Sequence, residues 1–317
     1  MSIPNFVVVM PFDIPILFVI FNRPDTTQRV FDEIRKQQPK YLYVAADGPR
    51  INRPEDENNC KLTREIIHQI DWDCNLNLLF RDANLGCGNA VYTAISWFFE
   101  NVEMGIVLED DCIPHSDFFP YCKELLFKYQ KVEQIKWIAG NNCNIESKLS
   151  HASYYFSKYP HVWGWASWRR VWKDYKFDLN GFPKNEIFEK IDSIFSTCGE
   201  KLFWKNRFEI MKSNKVAKKR GISAWDYQNV FSMWMKDGLA ILPQKNLITN
   251  IGFGSDATHT ITNNNQSIPS FPILPIIHNF NIIQDKEADL LYYKNFVYKP
   301  LWKYPLLKVK LLIDKLF

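Results

Sequence analysis

Several familiar signatures are missing from this chain. No GxGxxG follows an apolar run and no GxxxxGK[ST] occurs, so neither a dinucleotide-binding Rossmann turn nor a P-loop is expected. The seven cysteines form no CxxC pair, and their odd number leaves at least one unpaired. A disulfide framework is therefore not expected, and the pattern reads as reduced thiols of an intracellular protein. No apolar run approaches the roughly 20 residues of a membrane-spanning helix. The best, Ile14 to Phe21, is eight residues long and is broken by Pro15. No export leader and no span are expected. Charge of one sign is also scarce: 39 basic against 35 acidic residues give +4, too balanced for a surface that coats nucleic acid. What remains is 317 residues, 46% hydrophobic and 15% aromatic, ample for one large or two ordinary packed domains.

"PILFVIFNRPD" is a short all-apolar run that stops at Asn22, Arg23 and Pro24, the pattern of a buried parallel strand. Alternation follows. A helix runs from Asp25 or Thr26 to about Gln38, "YLYVAADG" is a second strand, and Glu57 to Ile70 has helical spacing. A third strand (76–82), a helix (86–100), a fourth strand "GIVLED", a helix (117–130) and a fifth strand "IKWIAG" complete the series. Strands interleaved with helices predict right-handed crossovers and an open α/β sheet, mostly parallel and flanked by helices.

In such sheets ligands bind beyond the carboxyl ends of the strands. Four polar groups fall there: Asn22-Arg23, Asp47-Gly48, Arg81 with Asn84, and Glu109-Asp110-Asp111. The last closes "MGIVLEDDC". Adjacent carboxylates raise one another's pKa unless a cation or proton intervenes. Three sources fit: a divalent metal, a basic side chain, or solvent at a surface turn. A charged, nucleotide-type ligand suits these ends. "NLGCGNA" (84–90) is either a phosphate contact or a helix start that needs a close backbone approach.

The "LEDD", "ADG" and "NRPD" strand ends, together with "GWASWRRVW", "ISAWDYQ" and "LITNIGFGSDATH" in that order, resemble glycosyltransferases of the GT-A fold. The pattern is similar to the N-acetylglucosaminyltransferase I type and to related bacterial nucleotide-diphospho-sugar transferases. The likeness covers residues 14 to about 262. It implies a donor half (about 14–145) and an acceptor half (about 146–262), followed by an extension (263–317). By similarity Asp47 bonds the nucleobase, Arg23 lies near the nucleotide, and Asp110 with Asp111 forms the DxD-like element, Asp111 being the first ligand to Mn²⁺ or Mg²⁺. Asn22, Arg81, Asn84 and Glu109 complete the donor side. The donor implied is a nucleoside diphosphate sugar, a UDP-sugar first, and the acceptor a glycan or lipid-linked glycan. Asp226 matches the catalytic base of an inverting transfer, with Trp225 desolvating it; it equally suits the first turn of a helix. His259 matches a C-terminal histidine that touches metal or diphosphate, though a solvated loop histidine has the same appearance.

Trp165, Trp168 and Trp172 recur at helical spacing, which points to core packing. Trp163 and Trp165 are the pair expected to reach a sugar if any does. The basic run 215–221 is a solvated face or a partner for anionic ligand. From Tyr292 to Phe317 there are six lysines and one aspartate. They make either a packed helix or a peripheral contact with an anionic membrane. A cytoplasmic location is expected. Two other classes stay open: a sugar-nucleotide nucleotidyltransferase, and a non-catalytic carbohydrate-binding protein. The enzymatic expectation requires Asp47, Asp110, Asp111 and Asp226 to share one cleft. An arginine or lysine permanently neutralising the acidic cluster would make that expectation collapse.

Overall fold

The computed structural model describes residues 12–143, 145–148, 151–213, 224–253 and 267–297. His259, the basic run 215–221 and the tail from 298 onward lie outside the described residues. Strand β1 (Ile16–Ile20) is followed by α1 (Pro24–Gln37), β2 (Tyr41–Ala46), α2 (Pro54–Glu65), β3 (Asn75–Phe80), α3 (Cys87–Asn101) and β4 (Met104–Glu109). Then come β5 (Cys112–Pro114), α4 (Phe118–Lys128), β6 (Ile135–Ala139), β7 (Tyr154–Ser157), β8 (Trp165–Trp168) and α5 (Arg169–Trp172). After α6 (Lys184–Ile194), α7 (Cys198–Lys212) and α8 (Asp226–Trp234), the described chain adds β9 (Leu239–Pro243), β10 (Ile248–Asn250) and α9 (Lys286–Tyr292).

Eight strands form one mixed, mostly parallel sheet in the order β3-β2-β1-β4-β8-β6-β9-β7, as the alternation predicts. β1 pairs in parallel with β2 and β4, and β2 with β3. Helices cover both faces, and this is why β1 has no polar alternation. Leu17 packs on one side with Ala94, Ile95 and Phe98 of α3; Ile16, Phe18 and Ile20 pack on the other with Val30, Phe31 and Ile34 of α1. Proline opens α1 at the first helical turn, where its missing N–H costs nothing.

Two strands, β7 and β8, run antiparallel to their neighbours. β8 enters between β4 and β6 and runs antiparallel to both. Its four residues are all buried, so no period-2 pattern marks it, and the helical spacing of its tryptophans reflects a strand followed by the turn of α5. Core packing is nonetheless their fate. Trp168 donates to the Leu126 carbonyl at 3.1 Å, and Trp172 to Ser96 Oγ at 3.0 Å. No cysteine forms a disulfide, and no described helix is long and apolar enough to cross a membrane.

Buried His161 has a pH consequence. Its Nδ1 lies 3.1 Å from the Asn141 carbonyl, and its ring packs on Tyr292 with centroids 4.6 Å apart. Burial lowers its pKa from 6.5 to about 4. A protonated unfolded chain and a neutral native one mean that stability is fully present above pH 6.5 and is lost as pH falls toward 4. Between pH 7 and 5 this amounts to about 2 kcal/mol. Urea melts at the two pH values should show wild type losing that much more than His161→Asn; equal losses would place the acid sensitivity elsewhere.

Candidate functional site

Register gathers the strand-end residues along one edge. Ile20 pairs with Ala46, Ala46 with Phe80, and Val19 with Glu109. The residues that follow (Asn22-Arg23, Asp47, Arg81 and Asp110-Asp111) therefore leave the sheet together.

The carboxylates differ in what they hold. Asp47 accepts from the backbone N–H groups of Gly48 (3.0 Å), Leu85 (3.0 and 3.1 Å) and Gly86 (3.2 Å). Asn84 reinforces the same turn, donating to the Gly48 carbonyl at 2.9 Å and accepting from Gly86 N at 3.1 Å. Gly86 has φ +77°, a conformation that side chains disfavour. "NLGCGNA" is thus a helix start pinned to Asp47. Asn22 turns to Asp56, donating at 2.6 Å. Asp56 is fully buried and also accepts from Arg50 N, Nε and Nη2, which lowers its pKa. Arg81 donates to Thr93 Oγ1 at 2.7 Å. Burial lowers its pKa.

At the end of β4 the charge is concentrated. Arg23 Nη2 donates to Asp110 Oδ1 and, at 3.0 Å, to Asp111 Oδ2. Phe21 N donates to the other oxygen of Asp110 at 3.3 Å, and the Cys112 thiol to Asp111 Oδ1 at 3.3 Å. Burial pushes Glu109 up to about 8, with Asp111 and Asp110 adding to it and Arg23 opposing. Burial likewise raises Asp110 to about 6 against the pull of Arg23. Of the three cation sources left open by sequence, a basic side chain is the one in place. The β10 end lies against the cluster: Ile251 N donates to the Asp111 carbonyl at 2.8 Å. A Cβ on Gly252 would stand 2.1 Å from Asp111 Oδ2, so any side chain there would force the Asp111 carboxylate to shift.

Asp226 reaches this end by aromatic packing. Trp225, buried before it, lies 5.8 Å from Trp165, which stacks on Trp137 at 3.8 Å. Trp165 pairs with Val107 of β4, two residues before Glu109. Tyr175 Oη fixes the Trp225 carbonyl at 2.8 Å. Asp226 opens α8, as one expectation had it, and its charge also helps raise Glu109, Cys87 and Tyr175. Cys87, at the start of α3, likewise feels Glu109 and Asp111, and burial pushes it up to about 12. Asp47 holds the turn immediately before Cys87. Asp47, Asp110 and Asp111 thus leave neighbouring strand ends, and the charge of Asp226 is felt at Glu109. Trp165 is corrected as a sugar contact: it is fully buried in the aromatic stack. Trp163 is partly exposed and meets Phe253 edge-on at 5.7 Å.

Sequence reasoning missed Asp56 and Arg50. Both lie in a helix-start segment that reads as ordinary solvated charge. Two hollows of about 350 and 460 Å³ flank the loops at 49–54 and 80–84. They take in Arg81 and Asn84 but none of residues 109–111 or Asp226, so they adjoin the acidic edge rather than form it. Among the described residues, no three His, Cys, Asp or Glu side chains form a ready-made metal cage.

No family model matches the chain, and no curated protein matches it. Solved structures do. UDP-glucose pyrophosphorylase complexed with UDP-glucose is 13% identical, the match covering 89% of this chain and 99% of that one, with a TM-score of 0.40. A cytidylyltransferase from Leptospira borgpetersenii serovar Hardjo-bovis is 13% identical over 64% of this chain and 72% of its own, with a TM-score of 0.32. HddC from Yersinia pseudotuberculosis is 11% identical over 51% and 80%, also at 0.32. Likeness at this level bears on neither activity nor substrate.

Proposed function

We propose that the chain is an enzyme acting on a nucleoside diphosphate sugar, and within that class a glycosyltransferase that moves the sugar to a hydroxyl of a glycan or glycolipid. The observation that carries this reading is the approach of Asp226 to the Glu109-Asp111 end of β4. Its charge is felt at Glu109, and a base opposite a diphosphate site needs such a position. Asp226 would take the proton of the attacking hydroxyl, with Trp225 keeping water from one side. Inversion at the anomeric carbon follows from attack opposite the leaving diphosphate.

A divalent ion fits the residues present. The donors are hard oxygens, the Arg23 guanidinium stands in for a cation on Asp110 and Asp111, and Gly252 leaves a cradle beside Asp111 that a Cβ would fill. Mg²⁺ and similar ions take one or two carboxylates and complete their shell with phosphate and water, so a three-ligand cage is not required. Asp111, with Asp110, would hold Mn²⁺ or Mg²⁺, which when bound supplies positive charge to the leaving diphosphate. Asp47 and Asn84 keep the 84–86 turn in place beside the donor, and Arg81 lies at the same edge.

Incubation with UDP-sugars, Mn²⁺ and glycan acceptors should release UDP, and Asp111→Ala should abolish that release. A nucleotidyltransferase is the second reading. It would release inorganic pyrophosphate from nucleoside triphosphate and sugar phosphate, and a carbohydrate-binding protein would release neither. Release of pyrophosphate without UDP would replace the first reading by the second.

A further inference from the structure

Arg23 spans two carboxylates without being used up by them. Both ion pairs go through Nη2, while Nε and Nη1 donate to nothing among the described residues. Its side chain is 24% exposed, against 4% for Asp110. The carboxylates have separate anchors, Phe21 N on Asp110 and the Cys112 thiol on Asp111, so neither depends on Arg23 alone for its orientation. One guanidinium also faces two carboxylates, so it does not neutralise the pair. A divalent ion approaching by itself meets a cation already on its oxygens. A diphosphate, by contrast, offers oxygens that match a planar fork of N–H donors better than two divergent aspartates do.

We propose that Arg23 is an exchangeable counter-charge, which excludes a divalent ion from the donor-free site and transfers to the diphosphate when ion and nucleotide bind together. This rests on the function proposed above. It makes metal and nucleotide affinities mutually dependent, since by linkage each must raise the other by one factor. Arg23 then acts as a specificity device: the site takes an ion only with the anion that draws Arg23 away.

Electron paramagnetic resonance of free Mn²⁺ reads this without turnover. Titrated with Mn²⁺ alone, wild type should bind weakly, and saturating UDP should tighten binding by about 10- to 100-fold. Arg23→Met should bind Mn²⁺ alone on the order of 10-fold more tightly than wild type, with the gain from UDP shrinking to what direct contact of ion and diphosphate supplies. Arg23→Lys keeps the charge but not the fork, and should fall between the two; it serves should the methionine variant fail to fold by circular dichroism. Unchanged Mn²⁺ affinity and undiminished UDP coupling in the folded variants would make Arg23 a fixed strut and overturn the proposal. If instead wild type binds neither Mn²⁺ nor UDP in the presence of the other, the reading of the site as a nucleotide-sugar centre falls first, and this proposal with it.

Discussion

Asp226→Asn should lower kcat for sugar transfer by about 10²- to 10⁴-fold, the usual contribution of a positioned base, with KM for the donor nearly unchanged. The asparagine has the same shape and still opens α8, so helix geometry is kept while the proton acceptor is removed. Binding should survive because residues 109–111, Arg23 and the 84–86 turn are untouched. Trp225, the residue before Asp226, packs in the stack of Trp165 and Trp137, which helps to fix the start of α8 in wild type and variant alike. Steady-state kinetics with saturating donor checks this. A variant retaining full kcat would return Asp226 to a helix-start role and remove the main support for transfer.

Asp47→Ala should destabilise the fold by about 3 to 5 kcal/mol, read as a shift in the urea midpoint. The estimate follows from removing a buried acceptor of charge-assisted bonds, which leaves the N–H groups of Leu85 and Gly86 without their partner. A residue whose only task was to touch a nucleobase would behave differently: its loss would weaken nucleotide binding and leave the melt unchanged. Asp47→Asn discriminates further, since an amide can accept on one oxygen but turns N–H groups toward N–H groups on the other side. It should recover part of the stability at most. Full stability in both variants would mean that the turn holds itself.

Much of the fold was legible because burial writes directly onto sequence. The apolar runs ending at Ile20, Ala46 and Glu109 are strands within a residue or two of their expected limits, since a strand covered on both faces has no alternative composition; β3 keeps its expected limits although none of its residues is fully buried. "WASW" was not legible as a strand: all four residues are buried, so alternation vanishes and the indole spacing imitates a helix. The site shows the same division. Strand ends could be listed as charged, but the directions of their side chains could not. Asn22 turns away to Asp56 and Asp47 turns to the backbone of residues 85 and 86, and neither partner is marked by spacing. Gly252 reads as a loop glycine, and only its approach to Asp111 shows that a Cβ there would displace the carboxylate.

By itself, the sequence determined that strands alternate with helices and that acids and arginines gather where the strands stop, because local periodicity and strand length depend on neighbours along the chain. Tertiary structure alone decided that β8 enters antiparallel beside β4, that Trp225 carries Asp226 to the acidic edge, and that Arg23 is the cation on Asp110 and Asp111 across 87 and 88 residues of chain. Those outcomes depend on which surfaces meet when the core closes, and on a charge finding its counter-charge where water has been excluded.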